Sequence, residues 1–313
     1  MRGLEICRAY FETYGLPMLQ DAFPGLLPRI ACGLTGSGSE CFGFDDEVSR
    51  DHDFEPGFCL FLPGEETVGR REAFRLERAY AGLPREFMGL RRSLVQPVGG
   101  PRRGVMRLAD FFRDRTGSPD GCLTLREWLS LPGESLAEAV NGEVFWDWSG
   151  ELTAIRSRLA RYPEDVRRKK LAGHLLLMAQ SGQYNYARCL RHGESAAAQL
   201  AAVAFAEGAA QAVFLLNDVY PPFYKWRFRA MRALPCLALE AELLEYLITT
   251  DNGPDLARDK QEAMEGIAAD VAKELRRQGL TELKGSDLER QAYAVQSGIR
   301  DGDIRTLSIL AGV

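Results

Sequence analysis

The stretch from Gly36 to Asp53 reads GSGSECFGFDDEVSRDHD and connects two apolar runs. Residues 29–34 (RIACGL) precede it and predict a short buried strand. Residues 52–63 (HDFEPGFCLFLP) overlap its end and predict a second strand, broken at a Pro-Gly pair. The spacer between the two runs is compatible with a short helix. Strand, glycine-rich turn, helix and strand together predict an α/β or α+β beginning.

Two features of this stretch suggest chemistry. Asp51 and Asp53 alternate at the predicted start of the second strand, so a period of two places both carboxylates on one face. Mg²⁺ prefers such oxygen ligands and is usually completed by substrate phosphates. The turn Gly36-Ser37-Gly38-Ser39, called the Gly-Ser turn below, offers backbone N–H groups and hydroxyls to an anion. The pattern therefore predicts a phosphate beside a divalent cation.

A Gly-Ser turn followed by an Asp-x-Asp on the next strand resembles the nucleotidyltransferase fold of the DNA polymerase β superfamily. That superfamily includes the aminoglycoside-modifying adenylyltransferases. Eleven residues lie between Ser39 and Asp51, and this spacing fits. More specifically, residues 36–63 and the downstream segments GEVFWDWSGELTAIRSRLARYPEDVRRKKLA, QSGQYNYARCLRHGE and AVFLLNDVYPPFYKW resemble the bacterial family DUF4037. The resemblance covers about residues 35–230, and because the family is uncharacterised it implies a fold more than a substrate.

The resemblance implies a two-metal nucleotidyl transfer. Asp51 and Asp53 would hold Mg²⁺ (or Mn²⁺), and the Gly-Ser turn, with Ser37 and Ser39, would bind the phosphates of an NTP, expected to be ATP. An acceptor hydroxyl would attack the α-phosphate, and pyrophosphate would leave. Arg50 is either a phosphate contact or a surface partner of a nearby aspartate. Taken singly, an Asp-x-Asp and a glycine-rich turn are ordinary loop features, and their spacing is what favours the site.

The resemblance also implies a third carboxylate on a neighbouring strand. The predicted third strand, residues 104–108 (GVMRL), has no acid. Asp110 follows it, although it is equally suited to cap a helix over residues 111–115. Asp147 is the other leading candidate and is equally a turn residue, and Glu143, four residues before it, is a further candidate. We expect Asp110 or Asp147 to complete the catalytic acids.

Helical periodicity dominates the second half of the chain. We therefore predict an α+β protein: residues 1–120 form a nucleotidyltransferase-like domain with a small mixed sheet flanked by helices, and residues 121–313 form an all-α helical bundle. By resemblance, the helical domain supplies phosphate contacts, of which Lys225 is the first candidate and Arg188 the second. The basic run 167–170 (RRKK) is expected to be a solvated face.

Composition narrows the partners. Lys plus Arg number 39 against 44 Asp plus Glu, a net charge of −5, which argues against a sequence-independent nucleic-acid binder. The sign favours a neutral or cationic small molecule as the hydroxyl acceptor. An RNA or protein acceptor is the second hypothesis. The third is a nucleotide-binding protein without catalysis.

The compartment follows from the cysteines and the apolar runs. The seven cysteines are scattered without a C-x-x-C pair, and with three histidines they predict reduced thiols rather than a zinc site. No apolar run is expected to reach the roughly 20 residues that span a bilayer. The sequence thus predicts a cytoplasmic protein without a membrane segment, and it carries no signal for the oligomeric state.

Overall fold

The computed structural model describes residues 2–47, 54–92 and 102–313. The described strands are β1 Ala31–Leu34, β2 Cys59–Leu62, β3 Glu86–Phe87, β4 Leu90–Arg91, β5 Gly104–Arg107 and β6 Glu143–Asp147. The described α-helices are α1 Gly3–Tyr10, α2 Leu16–Ala22, α3 Ser39–Phe42, α4 Arg70–Ala81, α5 Leu108–Thr116, α6 Leu125–Ser130, α7 Gly133–Val140, α8 Glu151–Leu159, α9 Glu164–Met178, α10 Ala187–Arg191, α11 Ser195–Leu216, α12 Tyr224–Met231, α13 Glu240–Thr249, α14 Pro254–Arg277, α15 Leu288–Ser297 and α16 Gly302–Thr306. Single π-helical stretches, Phe11–Gly15 and Ala179–Tyr186, follow α1 and α9.

The chain divides into two compact units. The first contains residues 1–122 and 134–160, and the second contains residues 123–133 and 161–313. The first unit is α+β and the second is helical in its described residues, so the predicted fold class is confirmed. The division differs from the predicted boundary at residue 120, because residues 134–160 return to the first unit.

The sheet of the first unit explains that return. Its strand order is β5-β2-β1-β6, and β6 pairs antiparallel with β1. β1 is also antiparallel to β2, whereas β2 is parallel to β5, so the sheet is mixed as predicted. β6 lies in GEVFWD, for which the sequence predicts no strand, and it carries the chain back to the sheet.

Both faces of the sheet are covered by apolar side chains. Cys32, Leu60 and Leu62 lie in one buried cluster with aromatic residues of the N-terminal helices. On the other face, the ring of Phe61 packs edge-on against that of Phe111 of α5 at 5.1 Å. Because β1 and β2 are buried along their whole length, their sequences are apolar without alternation.

The predicted second strand was too long. β2 begins at Cys59, and Phe54 to Phe58 are not in a strand. Pro56 lacks the N–H that a ladder needs, and a side chain at Gly57 would come 2.7 Å from the Cδ of Arg103. A buried arginine therefore occupies the space beside this segment.

The second unit is organised around α9 and α11, whose apolar faces share one core with α13, α14 and α15. Lys169 and Lys170 of α9 are buried, so the prediction of a solvated basic face was wrong for these two residues. The ammonium of Lys169 donates to the Leu307 carbonyl at 2.7 Å, and that of Lys170 donates to the Gly312 carbonyl at 2.8 Å. Main-chain oxygens thus compensate the burial of both charges.

Within the described residues, α11 has the length and apolar composition to cross a membrane. The expectation that no apolar run reaches this length was therefore wrong. Most of the helix is buried inside the second unit. The core helix of a globular unit can have the same length and apolar composition.

Glu240 at the start of α13 makes the second unit sensitive to pH. Burial, together with the neighbouring carboxylate of Asp270, raises the pKa of Glu240 from 4.5 to about 7. Folded protein therefore holds more protons than unfolded protein between pH 4.5 and 7, and stability falls as the pH rises through this window.

We predict that Glu240→Gln gains stability relative to the wild type as the pH rises from 4.5 to 7, because the variant has no carboxyl group to ionise there. Thermal melts across this pH range measure the difference. Glu242→Gln is the control, since Glu242 is exposed on the same helix. Parallel pH profiles for wild type and Glu240→Gln would contradict the assignment.

Candidate functional site

The Gly-Ser turn follows β1 after one residue, Thr35, and leads into the short helix α3. Gly36 has a φ of +122°, a conformation that residues with a side chain rarely adopt. A Cβ at Gly38 would come 2.5 Å from both carboxylate oxygens of Glu40. Both glycines are therefore required by the geometry of the turn.

Asn141 holds the turn in place from the end of α7. Its Oδ1 accepts a hydrogen bond from the Gly36 N–H at 2.9 Å, and its Nδ2 donates to the Gly36 carbonyl at 2.7 Å. The next N–H, that of Gly142, donates to the Cys41 carbonyl of α3 at 2.9 Å. The side-chain amide thus satisfies both main-chain groups of Gly36. Sequence reasoning missed Asn141, although the Asn-Gly pair after a helix is a turn signal.

A buried ion pair lies beneath the turn. The Arg103 Nη2 and the Glu40 Oε1 are 2.6 Å apart, and the two side chains are only 8% and 7% exposed. Glu55 Oε1 lies 3.9 Å from the same guanidinium. Burial is the largest influence on the pKa of Arg103 and acts to lower it, but Glu40, Glu55 and the neighbouring thiols together outweigh burial and raise the pKa above its ordinary value. Arg103 therefore ties α3 to the start of β5 and to the segment that enters β2.

Arg115 brings a second cation to the turn from the last turn of α5. A Cβ built on Gly36 would lie 3.3 Å from its Nη2. The guanidinium stacks 3.9 Å from the centroid of the Phe111 ring, and its Nε has no hydrogen-bond acceptor among the described residues. Burial lowers the pKa of Arg115. Sequence reasoning missed this residue, because only the return of α5 along the sheet brings it to Gly36.

Among the described residues, Glu138 of α7 is the acid nearest to that guanidinium, with Oε2 at 3.8 Å from Nε. Partial burial raises the pKa of Glu138, and the charge of Arg115 acts in the opposite direction. The Arg115 Nη1 donates to the Phe111 carbonyl at 3.2 Å, whereas Nη2, the nitrogen that lies beside Gly36, forms no hydrogen bond with a described residue. The donors of Nη2 are therefore available to a ligand at the turn.

The two leading candidates for the third carboxylate lie away from the turn. The turn follows Leu34, which pairs with Glu143, whereas Asp147 pairs with Ala31 at the other end of β1. The ends of a four-residue strand such as β1 are about 10 Å apart. The Asp147 carboxylate accepts a hydrogen bond from the Thr153 N–H at 2.8 Å, which is a structural role at the start of α8.

Asp110 likewise belongs to the opposite end of the sheet. It lies in the first turn of α5, after β5 has ended at Arg107, and Arg107 pairs with Leu62 at the far end of β2. Its carboxylate forms an exposed ion pair with Arg113 at 2.6 Å. The structure does not bring Asp110 to the Gly-Ser turn.

Glu143, the remaining candidate for the third carboxylate, does lie at the end of the sheet next to the turn. Its carboxylate pairs with the guanidinium of Arg8 from α1. This hydrogen bond raises the pKa of Arg8. Glu143 is half-exposed, so a ligand could compete for its carboxylate.

Asp51, Asp53 and Arg50 lie outside the described residues, so their predicted roles stay predictions. Among residues 2–47, 54–92 and 102–313, no group of three or more His, Cys, Asp or Glu side chains could hold a metal ion. A metal site of the predicted kind thus depends on Asp51 and Asp53.

Arg188 and Lys225 both lie on exposed helices of the second unit. The Arg188 Nη1 donates to the Tyr184 hydroxyl at 2.6 Å, and the Lys225 ammonium lies 4.3 Å from the centroid of the Trp226 ring. Neither forms an ion pair within the described part of the chain, and their role as phosphate contacts stays a prediction.

Part of the chain matches a known protein family. Residues 128–227 match the model of a domain of unknown function, DUF4037. The predicted resemblance to DUF4037 is confirmed for this segment, which is shorter than the predicted range. No curated protein matches the chain.

One solved structure is similar in fold. It is the crystal structure of a nucleotidyltransferase-like protein from Exiguobacterium sibiricum, with 12% sequence identity and a TM-score of 0.38. The similarity covers 91% of this chain and 80% of that one. At this TM-score the similarity does not establish a shared site.

We predict that Arg103→Met lowers the free energy of unfolding of the first unit by about 3–5 kcal/mol, because it leaves the Glu40 carboxylate buried and unpaired. Urea unfolding measures the loss. Arg113→Met is the control, since Arg113 forms an ion pair of the same length at the surface and should change stability by less than about 1 kcal/mol. Equal losses in the two variants would contradict the role of the buried pair.

Proposed function

We propose that the first unit binds the phosphates of a nucleoside triphosphate, expected to be ATP, at the Gly-Ser turn, and that the protein transfers the NMP to a hydroxyl group. The observation that carries the proposal is the position of Arg115. A guanidinium with unused donor capacity lies beside a turn whose main chain is fixed by Asn141 and by the Glu40–Arg103 pair. Fixed N–H groups beside a cation are typical of phosphate-binding sites.

The serines add to this cradle. Ser37 and Ser39 are both partly exposed, whereas the neighbouring Gly36, Gly38 and Glu40 are buried. Their hydroxyls can donate to phosphate oxygens, as the sequence predicts. Arg115 would contribute bidentate hydrogen bonds that a lysine could not.

In the proposed reaction, the acceptor oxygen attacks the α-phosphorus and forms a new O–P bond. The bond from the α-phosphorus to the bridging oxygen breaks, pyrophosphate leaves with that electron pair, and the hydroxyl proton passes to a base or to water. Asp51 and Asp53 would hold Mg²⁺ (or Mn²⁺), which supplies Lewis-acid stabilisation when bound. Of the acids weighed for the third position, Glu143 fits best, because Asp110 and Asp147 lie at the opposite end of the sheet.

The first test concerns transfer itself. We predict that wild-type protein, incubated with α-labelled NTPs, Mg²⁺ and a cell extract, moves label onto one fraction, and that Asp51→Asn/Asp53→Asn does not. Circular dichroism checks that the variant is folded. Label in the small-molecule fraction would support the acceptor predicted from the net charge, and label in RNA or protein would support the second hypothesis. Undiminished transfer by the folded variant would disprove the metal assignment.

The second test concerns the phosphate cradle. We predict that Arg115→Gln weakens ATP binding by about 10-fold or more, since a charge-assisted hydrogen bond is worth about 1.5–3 kcal/mol. Calorimetric titration with ATP measures the dissociation constant. Arg113→Gln is the matched control, because it removes an exposed arginine two residues away on the same helix. Equal affinities for the two variants would show that ATP does not bind against Arg115.

A further inference from the structure

An open pocket of about 410 Å³ lies in the first unit between the end of α7, β6 and α8. This volume is in the range of small-molecule sites. The lining residues are Val140, Val144, Thr153, Arg156, Ser157 and Ala160. Three of them, Thr153, Arg156 and Ser157, come from α8 at a spacing of three and four, and Ala160 directly follows the helix. One face of α8 therefore forms a wall of the pocket.

Arg156 is the only charged residue in this lining. Its Nη2 donates to the carbonyls of Val140 and Asn141, at 2.6 Å each. No other hydrogen bond and no ion pair of Arg156 occurs in the described part of the chain. Nη1 and Nε together carry three N–H donors, and these are left without a protein acceptor.

A purely structural role accounts for only part of this arrangement. An arginine that donates to the last carbonyls of a helix stabilises the helix C-terminus, and Nη2 does this for α7. The role does not use the remaining donors, and no carboxylate among the described residues balances the charge. Burial lowers the pKa of Arg156, and the carboxyl groups of the described residues do not restore it.

The remaining lining fits an anion attached to an apolar group. A guanidinium is complementary to the paired oxygens of phosphate and carboxylate. Ser157 donates its hydroxyl to the Thr153 carbonyl, whereas the Thr153 hydroxyl forms no hydrogen bond with a described residue and can donate to a ligand. Val140, Val144 and Ala160 provide an apolar surface beside these groups.

We propose that this pocket is a binding site for a small molecule that carries a phosphate or carboxylate group on an apolar body, with Arg156 as the anion contact. The site is joined to the Gly-Ser turn through Asn141. Arg156 binds the Asn141 carbonyl, and the Asn141 side chain binds both main-chain groups of Gly36. The proposal rests on the pocket itself and does not require that the turn bind a nucleotide.

The test uses phenyl phosphate and benzoate as probes, because they share one apolar body and differ in the anionic group. Calorimetric titrations are made with Arg115→Gln protein, so that binding at the Gly-Ser turn does not contribute. We expect saturable binding of at least one probe. The identity of the probe that binds shows whether the pocket accepts a phosphate or a carboxylate group. Adding Arg156→Gln should weaken that binding by about 10-fold or more.

Arg158→Gln is the matched control, because Arg158 is exposed on the same helix, outside the lining. It should leave the affinity unchanged. Because Arg156 also caps α7, a second variant, Ala160→Phe, fills the pocket and keeps the guanidinium, and it should also abolish binding. The proposal is overturned if neither probe binds saturably, if Arg156→Gln binds like Arg158→Gln, or if Ala160→Phe binds like its parent. Failure of the ATP titration would leave this result unaffected.

Discussion

The arrangement at the Gly-Ser turn depends on the ion pair between Arg103 and Glu40. Two charges are removed from water there, and each alone would be strongly unfavourable in that position. Together they are tolerated because the hydrogen bond is short and Glu55 adds a second carboxylate nearby. The consequence is geometric: α3, the start of β5 and the segment entering β2 are held at one point. Gly38 lies against that point, and a Cβ there would come 2.5 Å from the carboxylate oxygens of Glu40.

Elements with a strong local signal were predictable from the sequence. The strand predicted over 29–34 is β1 at Ala31–Leu34, and the run at 104–108 is β5 at Gly104–Arg107. The edge strand β6 was not predicted, because the β-branched and aromatic run in EVFWD is only three residues long and has an acidic residue at each end. β6 pairs with β1, and the paired residues are more than a hundred positions apart in the sequence. Only the tertiary structure reveals this pairing.

The site was predictable only in its local part. The glycines and serines of the turn follow from a short pattern, but Asn141 and Arg115 reach Gly36 through the packing of α7 and α5. The positions of the candidate acids depend on strand direction for a related reason. Asp147 is the last residue of β6 and Asp110 follows β5, and the direction of each strand decides which end of the sheet the acid reaches. That direction is not encoded in the local sequence. Lys169 and Lys170 likewise read as surface residues, because distant carbonyl acceptors leave no trace in helical periodicity.

The segment that matches DUF4037 has a consequence for how the two units are related in sequence. Residues 128–227 begin before β6 and end in α12. They therefore include Asn141, Glu143 and Arg156 of the first unit as well as the α9 and α11 core of the second. The Gly-Ser turn itself, residues 36–39, lies outside the matched segment. The turn nevertheless depends on that segment, because the Asn141 side chain forms hydrogen bonds with both main-chain groups of Gly36. The match therefore extends over the edge strand β6 and the clamp on the turn as well as over the helical core, and its ends do not coincide with the boundary between the two units.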